Sequence, residues 1–182
     1  MNVGTMARPG MKTLTLPVRA ASAAGDRAEE AVRLFDAHGT ALYRFCRSML
    51  ARADEADDVV QETFLKLLQH LERGGSRSNL RAWLFTVAVN GCRDRRRWQA
   101  RWLPWREELD TRAVEPVDDG PEKAARAALR ALRPRDRLLL SLRAQGLSYR
   151  EVASAAGVRE ASVGRLLARA IQRWKEKYAL SE

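Results

Sequence analysis

With 182 residues and a formal net charge of +10, from 33 lysines and arginines against 23 acids, the chain suits one domain or two small ones and a polyanionic partner. No apolar run approaches the roughly 20 residues that span a bilayer, which argues against membrane insertion. Cys46 and Cys92 are the only cysteines, each among apolar residues in a helical pattern, so a disulfide framework is not expected and a reducing cytoplasm fits best.

Residues 1–25 carry three bases, no acid and no continuous hydrophobic segment, and read as a disordered tail rather than a secretory signal. Met6 and Met11 leave a later translation start open. Order is expected from about Asp26, because Ala28, Ala31, Val32, Phe35, then Leu42, Phe45, Cys46, Met49 and Leu50 recur at the three- and four-residue spacing of one helical face. Gly39 either bends this segment or merely relaxes it. A second helix opens at Asp54-Glu-Ala-Asp-Asp58, whose carboxylates suit a helix N-terminus. Val60, Phe64, Leu67, Leu68 and Leu71 give it a core face, and Asp58, Gln61, Glu62 and Leu65 lie away from that face. Such charges are ordinarily just solvated. An apolar Leu65 among them is what a docking face for a basic partner would carry.

Glu72 to Ser78, with Gly74 and Gly75, reads as a loop, and Ser78 or Asn79 can cap the helix that follows. In that helix Leu80, Trp83, Leu84, Val87 and Gly91 share one side, and Phe85, Ala88 and Cys92 form a second apolar strip beside them. What remains is a narrow polar stripe of Thr86, Asn90, Arg93 and Arg97, running out into Arg95, Arg96, Arg97 and Trp98. Two readings stand. One is a core helix whose basic end complements the negative C-terminal dipole. The other is a rod that carries cations and an amide along one edge, suited to gripping phosphates and stacking unpaired bases.

From Gln99 to Pro121 the pattern breaks up around Pro104, Pro116, Gly120 and Pro121, which marks a linker. At about 3.3 Å per residue some 20 extended residues span on the order of 60 Å, close to two turns of B-DNA at about 34 Å each. Trp102 and Trp105 within it either pack back on the first bundle or touch a partner. The last 60 or so residues hold four helical signals. Ala125, Ala128, Leu129 and Leu132 mark the first; Pro134 opens the second, with Leu138, Leu139 and Leu142 inward and Gly146 at its end. Ser148-Tyr-Arg-Glu151 is a capping box that starts a short helix stopped by Gly157. The final helix, about Glu160 to Tyr178, turns Val163, Leu166, Leu167, Ala170, Ile171, Trp174 and Tyr178 inward and Ser162, Arg165, Arg169, Arg173 and Lys175 outward. A short capped helix, a turn at Gly157-Val158 and a longer helix with a basic outer face form a helix-turn-helix.

Charge follows the same division. The net is −4 over residues 26–72, +8 over 73–106, −6 over 107–122 and +9 over 123–182. Two basic blocks separated by an acidic one suit two contacts with a polyanion and a connector that avoids it. The fold class expected is therefore all-α: a tail over 1–25, a helical domain over 26–98, an acidic flexible linker over 99–121 and a helix-turn-helix domain over 122–182. No cofactor and no catalytic residue is expected. Neither histidine stands beside a plausible nucleophile, and Cys46, Cys92, His38 and His70 match no metal-ligand spacing. The acids from Asp54 to Glu62 fall on successive faces of one helix instead of converging, as a metal-dependent nuclease would need.

At these motifs the chain resembles the extracytoplasmic-function sigma factors, the two-domain alternative sigma factors of bacterial RNA polymerase. Asp54 to Leu68 resembles the family's polymerase-docking helix, Asn79 to Asn90 with Asp94 and the arginines its promoter-melting helix, and Gly146 to Ala153 with Gly157-Val158 its helix-turn-helix. The resemblance implies a cytoplasmic protein that binds core RNA polymerase and directs it to promoter DNA, without catalysis. Asp58, Gln61, Glu62 and Leu65 would meet the polymerase; Asn90, Arg93, Arg96 and Arg97 would hold the minus-ten strand as it opens. The loop from Glu72 to Ser78 would border a pocket for a flipped base. Ser162, Arg165 and Arg169 would serve the minus-thirty-five element, and an inhibitory anti-sigma factor is common for such proteins. Arg159, Gly164 and Leu166 depart from the family pattern, where a hydroxyl cap, a lysine and an arginine are usual. The alternatives from the residues alone are a helix-turn-helix regulator that binds duplex operator without polymerase, and an interaction protein whose arginines serve acidic partners.

Overall fold

A computed structural model describes residues 18–102 and 121–180, with side chains over 25–97 and 123–180. Seven helices occur and no strand is found among the described residues: α1 (Val18–Met49), α2 (Ala53–Glu72), α3 (Leu80–Trp102), α4 (Pro121–Arg130), α5 (Pro134–Ala144), α6 (Tyr149–Ala156) and α7 (Glu160–Ala179). The tail expected over 1–25 lies mostly outside the described residues, as does most of the linker. Helix α1 starts eight residues before Asp26, in an alanine-rich stretch of good helix formers, and runs unbroken through Gly39. Helix α3 likewise continues beyond Trp98.

The first bundle is α1 to α3. Leu42, Phe45 and Cys46 of α1, Val59, Leu67 and Leu71 of α2, and Leu84, Phe85, Val89 and Cys92 of α3 are all buried. Each large aliphatic or aromatic side chain so buried contributes about 1.5–3 kcal/mol. Phe45 meets Phe85 edge to face, with centroids 5.5 Å apart. Cys46 and Cys92 are free thiols in this core. Contact with Cys92, and then burial, push the Cys46 thiol far above its ordinary value, so it packs as an inert apolar group. Helix α2 has no side-chain cap; Arg52, at its N-cap position, instead binds Asp54, whose carboxyl is held below its usual range chiefly by that hydrogen bond. Of the two candidates for capping α3, Asn79 does so. Its backbone is left-handed (φ 56°), and its Oδ1 accepts from the Ala82 amide at 3.2 Å.

The second bundle is α4 to α7. Pro134 occupies the first turn of α5, where a missing amide hydrogen costs nothing. The capping box forms at α6: Ser148 Oγ accepts from the Glu151 amide, and a Glu151 carboxylate oxygen accepts from the Ser148 amide. Gly157 ends α6 in the left-handed region (φ 69°, ψ 43°), which only glycine adopts freely, and this fixes the turn into α7. Arg159, at the N-cap of α7, gives no side-chain cap. The helix thereby forgoes about 0.5–2 kcal/mol that a serine, threonine, aspartate or asparagine contributes at such a position. Leu138, Leu139, Leu142, Val152, Val163 and Leu167 fill the core. Arg173 is exposed, as expected, and its guanidinium also donates to the buried Asp136 carboxylate at 2.7 Å and ties α7 to α5. Burying a carboxylate requires such a partner.

The two bundles are packed together. Helix α1 lies against α5 and α3 against α6, and buried residues of both bundles form one continuous apolar cluster. Polar contacts cross the seam. Ser48 and Ser141 hydroxyls are 3.0 Å apart, and Arg137 donates to the Ser48 carbonyl and to two carbonyls at the end of α4 and just beyond it. Asn79 donates to Glu151, so one carboxylate closes the capping box of α6 and meets the start of α3. These two donors, Asn79 first, hold the Glu151 carboxyl below its usual range.

Candidate nucleic-acid and partner interfaces

Helix α2 turns its core stripe toward α1 and α3, which leaves the other side at the surface. Asp58, Gln61, Glu62 and Leu65 all lie there and all are exposed, Leu65 to 59%. Spacings of three and four place them on neighbouring turns of one face. The residue that spacing alone did not single out is Arg95. From α3 its guanidinium reaches Asp58 Oδ2 at 2.9 Å and Glu62 Oε1 at 2.5 Å, and these carboxylates, Asp58 foremost, raise its pKa further. Arg95 falls about 160° around the helix from Arg97, and that angle is the signal that could have found it. The second oxygen of each carboxylate has no bond to Arg95, so both acids can still accept from a partner.

Along α3 the expected edge is divided. Asn90 and Arg97 are exposed and Arg96 is half-buried. Arg93 is half-buried and donates to the Ala156 carbonyl at 2.8 Å, capping the last turn of α6. A basic side chain at a helix C-terminus meets both an unpaired carbonyl and the negative end of the dipole. Thr86 is turned to its own backbone, with Oγ1 donating to the Ala82 carbonyl. The side chains of Trp98 and Trp102, and Trp105 altogether, lie outside the described residues.

Before α3 comes the loop of residues 73–79. Ser76, Arg77, Ser78 and Asn79 are exposed, and Arg77 pairs with Glu30 of α1 at 3.0 Å. In the second bundle the face of α7 opposite its core carries Arg165 and Arg169, both exposed, one turn apart, with Ser162 half-buried beside the turn. Two guanidiniums on one exposed helix face can fork onto phosphates or guanine edges. Among the described residues no cluster of His, Cys, Asp or Glu could hold a metal ion, and no helix is long and apolar enough to cross a membrane.

Comparison with known proteins matches both bundles. The family described as Sigma-70 region 2 matches residues 34–101, and Sigma-70, region 4 matches residues 122–173. The chain is similar to the ECF RNA polymerase sigma factor SigL of Mycobacterium tuberculosis, 42% identical over 80 residues, 43% of this chain and 45% of SigL. That alignment spans less than half of SigL. Longer matches are to EcfG of Rhodopseudomonas palustris, 35% identical over 125 residues (64% of this chain, 67% of EcfG), and SigF of Caulobacter vibrioides, 33% over 138 residues (73% and 76%). Among solved structures, the sigma factor RpoE of Bartonella quintana in complex with the anti-sigma factor NepR superposes with a TM-score of 0.69 at 25% identity, over 86% of this chain and 99% of that one. CnrH in complex with the cytosolic domain of CnrY gives 0.64 at 25% identity, over 91% and 97%.

Proposed function

The chain belongs to the extracytoplasmic-function sigma factors of bacterial RNA polymerase, and on that premise we propose that it acts by binding alone, carrying core polymerase to promoters and helping to open them. The observation that carries the reading is the placement of three different surfaces on three helices of the chain. An exposed acidic face around an unpartnered leucine lies on α2, an amide and arginines lie along α3, and two exposed arginines lie on α7. Asp58, Gln61, Glu62 and Leu65 dock on a basic surface of the polymerase. Asn90, Arg93, Arg96 and Arg97 hold the minus-ten strand, and the loop after α2 takes a base that has left the stack. Unstacking costs a few kcal/mol, which base capture and phosphate contacts offset. Ser162, Arg165 and Arg169 read or flank the minus-thirty-five element, where a forked arginine–guanine pair contributes roughly 1–3 kcal/mol of discrimination.

The working division is 26–98 for docking and melting, 99–121 for the linker and 122–182 for duplex reading. The packed arrangement is a resting form in this scheme. Arg93 cannot cap α6 and grip a DNA strand at once, and two promoter elements about two helical turns apart cannot be read by bundles in contact. Opening exchanges the seam for polymerase and DNA contacts. The chain works in the cytoplasm with the polymerase, and the anti-sigma factor NepR bound to RpoE supports an inhibitory protein that holds the resting form here.

The reading is tested by electrophoretic shift of a promoter duplex with the chain alone, with core polymerase alone and with both. A specific, heparin-resistant shift is expected only with both. A tight specific shift by the chain alone would favour the operator-binding alternative, which the two family matches do not support.

A further inference from the structure

The loop that joins α2 to α3 is built around the side chain of His70. His70, in the last turn of α2, packs its ring against that of Trp83 in a tilted pair, with centroids 4.7 Å apart and planes at 32°. Its Nε2 is 2.9 Å from the Ser76 carbonyl oxygen. A carbonyl only accepts, so Nε2 carries the proton and donates, and this fixes the tautomer of the neutral ring. The other side of the ring is closed by Gly75. A Cβ there would lie 2.3 Å from His70 Cε1, so the ring in place excludes every residue but glycine. The Gly75 amide donates to the His70 carbonyl at 2.8 Å, and Gly74 takes the left-handed turn (φ 71°) that brings the chain back over the ring. Beyond it the Ser76 and Ser78 hydroxyls are 2.8 Å apart, and the Ser78 amide donates to Ser76 Oγ. The imidazole is therefore the internal support of the loop, and Ser76, Arg77 and Ser78 project outward from it.

We infer that His70 is a positioning residue for base selection: clamped between Trp83 and Gly75, its ring fixes the backbone of residues 73–79 and so decides which unstacked base at the minus-ten element the loop accepts. This rests on the reading that the loop borders the base. Hydrogen-bonded discrimination requires donors and acceptors held to within about 0.5 Å. A site so held rejects a base whose edge leaves its polar groups unpaired, and a slack loop re-forms around any of the four. His70 never touches the DNA in this account. It acts through Ser76 to Ser78.

The test uses holoenzyme reconstituted from core polymerase and the full chain, on a promoter library randomised through the minus-ten element, with transcripts counted by sequencing. His70→Ala and Gly75→Ala remove the support from opposite sides, the first by deleting the ring and the second by displacing it. Both are expected to flatten the preference at a single position by about tenfold, the equivalent of ~1.4 kcal/mol, with core affinity within about twofold of wild type. His70→Gln, whose amide can still donate to the Ser76 carbonyl, retains part of the preference. An unchanged profile in both variants, or an equal loss at every position, overturns the inference, the latter because it is what mere destabilisation produces. Ser76→Ala with Arg77→Ala separates the two levels. If that pair also leaves the profile unchanged, the loop reads no base and the underlying reading falls; if it shifts the profile while His70→Ala and Gly75→Ala do not, only the role of His70 falls.

Discussion

The Asp58→Arg, Glu62→Arg double variant is expected to lose assembly with core polymerase by roughly a hundredfold or more, about 2.7 kcal/mol, in a direct binding measurement. Both carboxylates lie on the exposed side of α2 with Leu65 on the turn after Glu62, and reversal turns attraction for a basic surface into repulsion. The fold survives the change. The pairs that Arg95 makes with them join side chains that remain 55% and 48% exposed on the acid side, and such pairs contribute about 0–1 kcal/mol each. Circular dichroism and thermal melting should therefore stay near wild type, while the repulsion of three guanidiniums is relieved into solvent. A matched control, Glu29→Arg with Asp36→Arg on α1, changes net charge equally but lies elsewhere, and is expected to bind core within about threefold of wild type. Equal losses in the two variants would assign the effect to bulk charge and remove the docking face from α2.

Locking the seam between the bundles is expected to silence the factor reversibly. Ser48 and Ser141 hydroxyls lie 3.0 Å apart, which makes the pair a site where a small adjustment of either helix admits an engineered disulfide. In Ser48→Cys with Ser141→Cys, oxidation should couple α1 to α5 and reduce promoter-specific transcription by at least about tenfold, with recovery on adding reductant. Cys46 and Cys92 are buried and do not compete for the oxidant. The oxidised chain should still be folded and should melt at a higher temperature, because the cross-link restricts the unfolded ensemble. A fully cross-linked chain that transcribes as well as its reduced form would mean that the packed arrangement is also the working one, and that Arg93 is not needed on DNA.

Local chemistry was the part of this fold most open to reading from residues alone. The capping box at Ser148 and Glu151, the left-handed Gly157 and the proline in the first turn of α5 each depend on neighbours within four residues, and each forms as expected. The outward set on α2 is legible for the same reason, since Leu65 breaks the polarity of its own face. Periodicity misplaced side chains where a face extends past its partner. Val32 and Phe35 sit on the stripe of α1 and yet are half exposed or more, although Phe35 meets Phe64 in a T-shaped pair and lies over Gly39 of its own helix. Ile171 shares the inward stripe of α7 but lines an open groove with Leu140, Tyr149 and Ala168. Helix spacing defines a side and not what covers it.

Contacts between distant segments were the least legible. Arg93 lies on the polar edge of α3 by every count of residues, and its partner is a carbonyl 63 positions away. Arg95 finds its acids across the α2–α3 packing, and Arg173 finds Asp136 across the α5–α7 packing. His70 carries no local signal beyond its metal-ligand chemistry, and its use is to fill a loop closed by the glycine five residues later. An arginine or histidine carries several donors on a long or rotatable stem, so its role is fixed by whatever acceptor the tertiary structure brings near.

The most direct measurement is transcription from a promoter library with purified core polymerase, with and without this chain, and with every 5′ end mapped. Discrete start sites are expected only with the chain present, downstream of two shared elements about two helical turns apart, and are expected to vanish with Asp58→Arg, Glu62→Arg. The absence of any chain-dependent start site, together with tight binding of closed duplex by the chain alone as a symmetric pair, would contradict the proposed function.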